Sequence, residues 1–153
     1  MKKAGKDRFY LVFCSVAVLV IILDQLVKFF VEKTELGKEI FSIGFFSFTH
    51  VHNYGAGFSI LRGYNWFFVA VALAFILLVT LFYRKIEKNI LPQAGFALML
   101  GGTFSNMIDR ISYGFVIDYF DFRIWPVFNI ADSAISVGVV LIIIYYLIDF
   151  NLV

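Results

Sequence analysis

Four apolar runs, at residues 9–31, 66–83, 91–108 and 130–148, constrain this chain more than any other feature. The hydrocarbon core of a bilayer is about 30 Å thick and is crossed by about 17–25 helical residues, so each run is long enough to span it. In lipid, every backbone N–H and C=O must be bonded within the protein, which makes helix the natural fold for separate runs of this kind. Composition agrees, because charged residues are 16% of the 153 and hydrophobic residues 61%, whereas soluble domains carry about 25% charged residues. The expected fold is an integral membrane protein, mostly α, with four transmembrane helices. Little chain is left for a separate module, so residues 1–153 are expected to form one membrane-embedded domain.

Charge sets the expected orientation. Lys2, Lys3, Lys6 and Arg8 precede the first run, and Arg84, Lys85 and Lys88 follow the second. The positive-inside rule places both clusters in the cytoplasm. The first run has no small-residue cleavage site and reads as a retained helix, not a signal peptide. Both termini are then cytoplasmic, and residues 32–63 and 112–128 lie outside. The basic residues form no continuous face of the kind nucleic acid needs, so nucleic acid is not an expected partner. Cys14 is the only cysteine. It permits no disulfide framework and is expected to be a small membrane-facing hydrophobe.

The external segments read as strands. Residues 41–60, FSIGFFSFTHVHNYGAGFSI, are rich in aromatic and β-branched types and are punctuated by Asn53, Gly55 and Gly57, a turn signature. His50 and His52 fall on one side of such a strand. Two ligands are too few for a metal site, so no metal is expected there and the histidines are expected to be exposed or interfacial. In residues 112–128, counting by twos puts Asp118 among Val116, Phe120, Phe122 and Ile124, with Tyr119, Asp121 and Arg123 on the other face. Asp118 is the odd member of an apolar face, while Asp121 and Arg123 read as a solvated pair.

Topology gathers polar residues that the sequence scatters. Asp24, Asn53, Asn106, Asp109, Asp118, Asn129 and Asp132 all fall at the outer interface, although a charge at a helix centre costs about 2.5–3.5 kcal/mol on insertion scales. Some have local explanations. Asp24 and Lys28 have the i, i+4 spacing of a surface ion pair, a reading that competes evenly with a role in supporting a site, and Asp109 beside Arg110 could be a neutralised pair. As to chemistry, the chain has no HExxH for zinc and no GxSxG for a serine nucleophile, and Cys14 has no base near it in sequence. Carboxylates remain. Two held close in a low-dielectric site share a proton and can both activate water and protonate a carbonyl, and Asp118 with Asp132 is the natural pair.

DQLVK in the first run, NYGAGFS after the strands, GGTFSNMIDR ending the third run, FVIDYFDF in the loop and FNIADS opening the fourth together resemble the bacterial lipoprotein signal peptidases. The resemblance covers nearly the whole chain. It implies an aspartyl peptidase of the plasma membrane that removes the signal peptide of prolipoproteins just before a diacylglyceryl-modified cysteine, with no cofactor. It carries the catalytic roles to Asp118 and Asp132 and supporting roles to Asp24, Asn53, Gly55, Asn106, Asp109, Arg110 and Asn129. It also implies four helices, a small extracytoplasmic sheet and a mobile segment over the site. Partners would be lipid-modified prolipoproteins and membrane lipid, with the enzyme a monomer. The chain departs from the usual NxGAAFG pattern at Gly57 and Ser59, and from GGAxGN at Thr103 and Ser105. Two other classes compete: a small ion-coupled transporter, since intramembrane aspartates also relay protons, and a structural assembly factor.

Overall fold

The computed structural model describes residues 2–55 and 60–150, with residues 2–7 described by their backbone alone. Gly57 and Ser59 lie outside the described residues. Among the described residues, four α-helices, α1 (Lys2–Val31), α2 (Asn65–Phe82), α3 (Ile90–Ser112) and α4 (Ile130–Phe150), accompany a three-stranded sheet of β1 (Glu39–Ile43), β2 (Phe46–Asn53) and β3 (Val116–Asp121), and a 3-10 turn, Tyr83–Lys85, follows α2. Both strand pairings are antiparallel, in the order β1-β2-β3.

Among the described residues, three helical stretches are long and apolar enough to cross a membrane: Arg8–Val31, Asn65–Lys85 and Ile130–Phe150. The chain is a multi-pass membrane protein. The third apolar run differs from expectation. It forms α3, a helix longer than residues 91–108, but one that falls short of the apolarity of the other three. Its position explains this, because α3 packs against α1, α2 and α4 alike. A helix surrounded by protein has little surface to show lipid, and α3 buries Gln93, Gly101, Gly102, Ser105, Asn106 and Asp109, which lower its hydropathy.

Close helix approach explains two glycines. A Cβ at Gly102 would sit 2.3 Å from the Ala131 carbonyl oxygen on α4, and one at Gly138 would sit 2.5 Å from the Gly95 oxygen on α3. Small residues at such contacts let the two backbones touch, which is how helices associate without a hydrophobic driving force. Away from the sheet, Phe13, Val79 and Ala97 form an apolar cluster joined by α1, α2 and α3, and Cys14 packs against it instead of facing lipid alone.

At the other end of the bundle, β3 passes close to α1 and α3. Val116, Ile117, Asp118 and Tyr119 are all buried, so both faces of β3 are covered where it enters the bundle. This corrects the expected solvated face: Tyr119 is 0% exposed and packs with Val31 and Ile117. Only the end of the strand behaves as expected. Asp121 accepts a hydrogen bond from the Arg123 N–H at 2.7 Å, and the Arg123 guanidinium lies 3.7 Å from Asp121 and pairs with Glu39.

Candidate active site

Asp132 reaches the site through a helix start. Asn129 precedes α4, its Oδ1 accepts the Asp132 N–H at 2.8 Å, and its own N–H points back to Asp132 Oδ2 at 3.4 Å. This reciprocal arrangement is a capping box, which satisfies orphan N–H groups at the start of the helix. Here it also orients a carboxylate. Asp118 arrives from β3, directly opposite Val51 in the register with β2, and is 1% exposed.

Three asparagines aim their amide N–H groups at this pair. Asn53 Nδ2 donates to Asp118 Oδ2 at 2.9 Å, Asn129 Nδ2 donates to Asp118 Oδ1 at 2.7 Å, and Asn106 Nδ2 donates to Asp132 Oδ1 at 2.8 Å. Each amide is oriented by what its oxygen accepts. Asn53 Oδ1 takes the Gly55 N–H at 2.9 Å, and Asn106 Oδ1 takes Lys28 Nζ at 2.9 Å and Asn129 Nδ2 at 3.1 Å. Neutral amides hold the carboxylates without adding charge. Burial, followed by repulsion from Asp132, raises the Asp118 pKa from 3.8 to about 8, against the opposing pull of the Asn53 amide and Lys28. Burial thus favours the protonated form of Asp118.

Behind the pair lies a buried ionic cluster. Lys28 Nζ is 2.7 Å from Asp24 Oδ2, 2.7 Å from Asp109 Oδ2 and 2.9 Å from Asn106 Oδ1, so its three N–H groups are all used. The expected surface ion pair is thereby corrected: Lys28 is 2% exposed and Asp24 0%, because the outer face of α1 is covered by α3 and β3. Asp24 also accepts the Ser105 hydroxyl at 2.7 Å, the Tyr119 hydroxyl at 3.1 Å and the Ala131 N–H at 3.1 Å. One carboxylate thus ties α1 to α3, β3 and α4. Burial raises the Tyr119 pKa, and the neighbouring Asp24 charge raises it further, which keeps the phenol a donor.

The expected neutralisation of Asp109 by Arg110 is also corrected. Adjacent residues on a helix point about 100° apart. Asp109 turns to α1, where it meets Lys28 and accepts Gln25 Nε2 at 2.7 Å. Arg110 turns away, donates to the Gly55 carbonyl at 3.2 Å and lies 5.0 Å over the Phe68 ring. It lines a cavity of about 450 Å³ together with Asn53, Asn106, Asp132, Phe68 and Ile135. Thr103 lines this cavity too, so of the residues that depart from the family pattern one faces the cavity and another, Ser105, bonds Asp24.

The histidines are not both exposed. His50 is buried, its Nδ1 is 3.0 Å from the Thr34 carbonyl, and its Nε2 is 3.0 Å from His52 Nε2. His52 stacks on Phe115 at 3.7 Å, and its pKa is lowered by burial and then by His50. Among the described residues no group of three or more His, Cys, Asp or Glu could hold a metal ion.

The structure brings together every residue expected at the site: Asp24, Asn53, Gly55, Asn106, Asp109, Arg110, Asp118, Asn129 and Asp132. Sequence reasoning missed Gln25, Ser105 and Tyr119 and left Lys28 undecided between a surface pair and a supporting role. For Lys28 a signal existed, since a lysine in an apolar run needs a buried partner. For Ser105 and Tyr119 none did.

Known proteins are similar to this chain in sequence and fold. The pattern of the family described as Signal peptidase (SPase) II matches residues 16–148. A lipoprotein signal peptidase of Halothermothrix orenii is 42% identical over 132 residues, covering 85% of this chain and 91% of that protein. One from Moorella thermoacetica is 39% identical over 133 residues, covering 85% and 89%. A bacterial membrane enzyme solved by the in meso method at 2.3 Å resolution superposes with a TM-score of 0.86 at 33% identity, covering 91% of this chain and 89% of that one. With a match across most of its length, and with relatives of this similarity, the chain belongs to the signal peptidase II family.

Proposed function

We propose that this protein is an aspartic endopeptidase that removes the signal peptide of prolipoproteins, cutting just before a lipid-modified cysteine. The observation that carries the reading is the pair Asp118, buried, and Asp132, half-buried, held by three asparagine amides of which Asn129 serves both residues. The names of the relatives supply the substrate class. Nothing in them favours the transporter alternative.

In this reading the pair shares one proton. Asp118 holds it, because burial disfavours its charge, and Asp132 is the carboxylate, because the α4 N-terminus stabilises an anion there. Water between them gives a proton to Asp132 while its oxygen bonds to the scissile carbonyl carbon, and Asp118 protonates the carbonyl oxygen. The tetrahedral adduct then collapses. The C–N bond breaks, the departing nitrogen takes the proton from Asp132, and a hydroxyl of the adduct returns one to Asp118. Lys28, Asp24 and Asp109 keep Asn106 and the start of α4 in place.

All four helices cross the bacterial plasma membrane, α3 included because its polar residues face protein, and both termini are cytoplasmic. The sheet and the pair then lie at the extracytoplasmic interface, where a lipidated cysteine would sit, and the loop of residues 122–127 covers the site. The test is incubation of the purified protein in lipid with a diacylglyceryl-modified precursor and its unmodified twin, with mass spectrometry of the products. Cleavage immediately before the modified cysteine is expected, and an intact modified precursor would sink the proposal.

A further inference from the structure

The two carboxylates open into different cavities. Asp132 lines the cavity of about 450 Å³ described above, whose other walls include Phe68, Val71, Phe75 and Ile135 from the helices. Asp118 instead lines a second cavity of about 440 Å³, formed with Val51, His52, Arg123 and Ile124 at the sheet. Asn53, Trp125, Pro126 and Val127 line both. The segment 125–127 is therefore a common wall, with Asp132 in one cavity and Asp118 in the other.

That wall is pinned at its base. The Phe128 carbonyl accepts the Tyr119 and Phe120 N–H groups at 3.0 and 2.8 Å, and the Phe128 N–H returns to the Phe120 carbonyl at 3.1 Å. Phe122 stacks on Phe128 at 5.7 Å. On the other side Arg123, with φ at 66°, is clipped to Asp121 and Glu39. Such a φ is uncommon for a non-glycine residue, and here the Asp121 carboxylate holds the Arg123 N–H. The loop divides the two cavities, and Ile124 beside the shared wall is 93% exposed.

Both carboxylates must reach one scissile bond, so the substrate chain must pass from one cavity to the other under residues 125–127. The chemistry of the walls sets its direction. The helix-side cavity presents rings and aliphatic side chains that suit an apolar signal helix arriving from lipid. The sheet-side cavity is ringed by His52, Arg123 and the exposed loop, which suits a polar chain leaving for water. We propose that this second cavity is the subsite for the mature chain, taking the first residues after the modified cysteine, and that Val51, His52 and Arg123 contact them. This rests on the peptidase reading and adds to it a defined product side.

Disulfide trapping tests it, aided by the single native cysteine. The enzyme carries Cys14→Ser, Asp132→Asn to keep the precursor whole, and either Val51→Cys or Ile135→Cys. The lipid-modified precursor carries an extra cysteine either two residues after the modified one or four residues before it. After mild oxidation, the mature-side cysteine should join Val51→Cys and not Ile135→Cys, and the signal-side cysteine should show the reverse. A mature-side cysteine that joins Ile135→Cys, or joins neither position while the signal-side one joins Ile135→Cys, would overturn the assignment. Thermal unfolding of each variant in lipid, compared with the Cys14→Ser enzyme, reports folding. If the Cys14→Ser enzyme leaves the precursor uncut, the peptidase reading itself fails and this assignment falls with it.

Discussion

One stripe of α1 contains two different chemistries. Phe13, Ala17, Val20, Asp24, Lys28 and Val31 recur every three or four residues and are all buried. The half away from the sheet is apolar and meets α3 by shape, so close that a Cβ on Gly101 would lie 2.6 Å from the Ala17 oxygen. The half near the sheet is ionic and meets α3 through hydrogen bonds from Lys28, Gln25 and Ser105. Packing in the first half can lose a little fit and survive. In the second, buried charges are matched to specific partners, and a loss leaves a charge with no water to take it.

The largest effect is expected at the proton-bearing pair. Asp118→Asn keeps the shape but removes the exchangeable proton, so turnover should fall by about 10²–10⁴-fold, the range for loss of an acid–base group. Precursor cleavage at matched protein level measures it. The pair also predicts a pH profile. The Asp118 pKa is raised to about 8, so its proton is present below that value and activity should fall as pH rises through it. Stability has the same sign. The unfolded chain ionises near the ordinary 3.8 while the folded one keeps its proton, so this stabilisation is complete below about 4 and is lost as pH climbs towards about 8. A cleavage profile flat from pH 6 to 9, with chemistry rate-limiting, would count against a shared proton.

Next is Lys28→Met. It leaves Asp24 and Asp109 facing each other without their cation, and removing one partner of a buried pair costs about 3–5 kcal/mol. Thermal unfolding in lipid should show a large drop, partly recovered when Asp109→Asn is added. If Lys28→Met unfolds like the wild type, the ionic half of α1 is not what holds this end together.

Gly138→Ala probes the apolar contact away from the sheet. Its methyl would meet the Gly95 oxygen at 2.5 Å, and overpacking of this kind costs about 1–3 kcal/mol. Stability should fall with the pH profile unmoved, since the capping box of α4 lies well over a turn away. A shifted profile would show that the two ends are more tightly coupled than their separate chemistries suggest.

The same contrast explains what could be read in the sequence. Apolar runs declare themselves locally, so all four helices were legible, and β2 and β3 showed in their aromatic and β-branched content. Asp118 and Asp132 were legible because a carboxylate in such surroundings needs a function. Partners distant in sequence were not. Lys28 and Asn106 are 78 positions apart, Gln25 and Asp109 are 84, and Tyr119 and Asp24 are 95. At short range, Asp24 and Lys28 satisfy the rule for a solvated helix pair, and only burial by α3 and β3 changes what they are. Strand alternation failed at Tyr119 for a related reason, since a strand covered on both sides has no solvent face to mark.

The smallest effect should come from Asp121→Asn, a substitution of the same type three residues along the same strand as Asp118. Asp121 sits at the end of β3, where the side chain is 16% exposed and its cation, Arg123, is 47% exposed. Pairs this open to solvent are worth about 0–1 kcal/mol. The Arg123 N–H now bonded to Asp121 Oδ1 can still be accepted by an asparagine carbonyl, so the turn into the loop should persist. Arg123 also retains Glu39, which holds the wall over the passage. Asp121→Asn should therefore keep most cleavage activity and nearly all stability, measured beside Asp118→Asn under identical conditions. An inactive Asp121→Asn with an active Asp118→Asn would move the acid–base group to the exposed end of the strand. The buried cluster around Lys28 would then be a structural anchor with no bearing on catalysis.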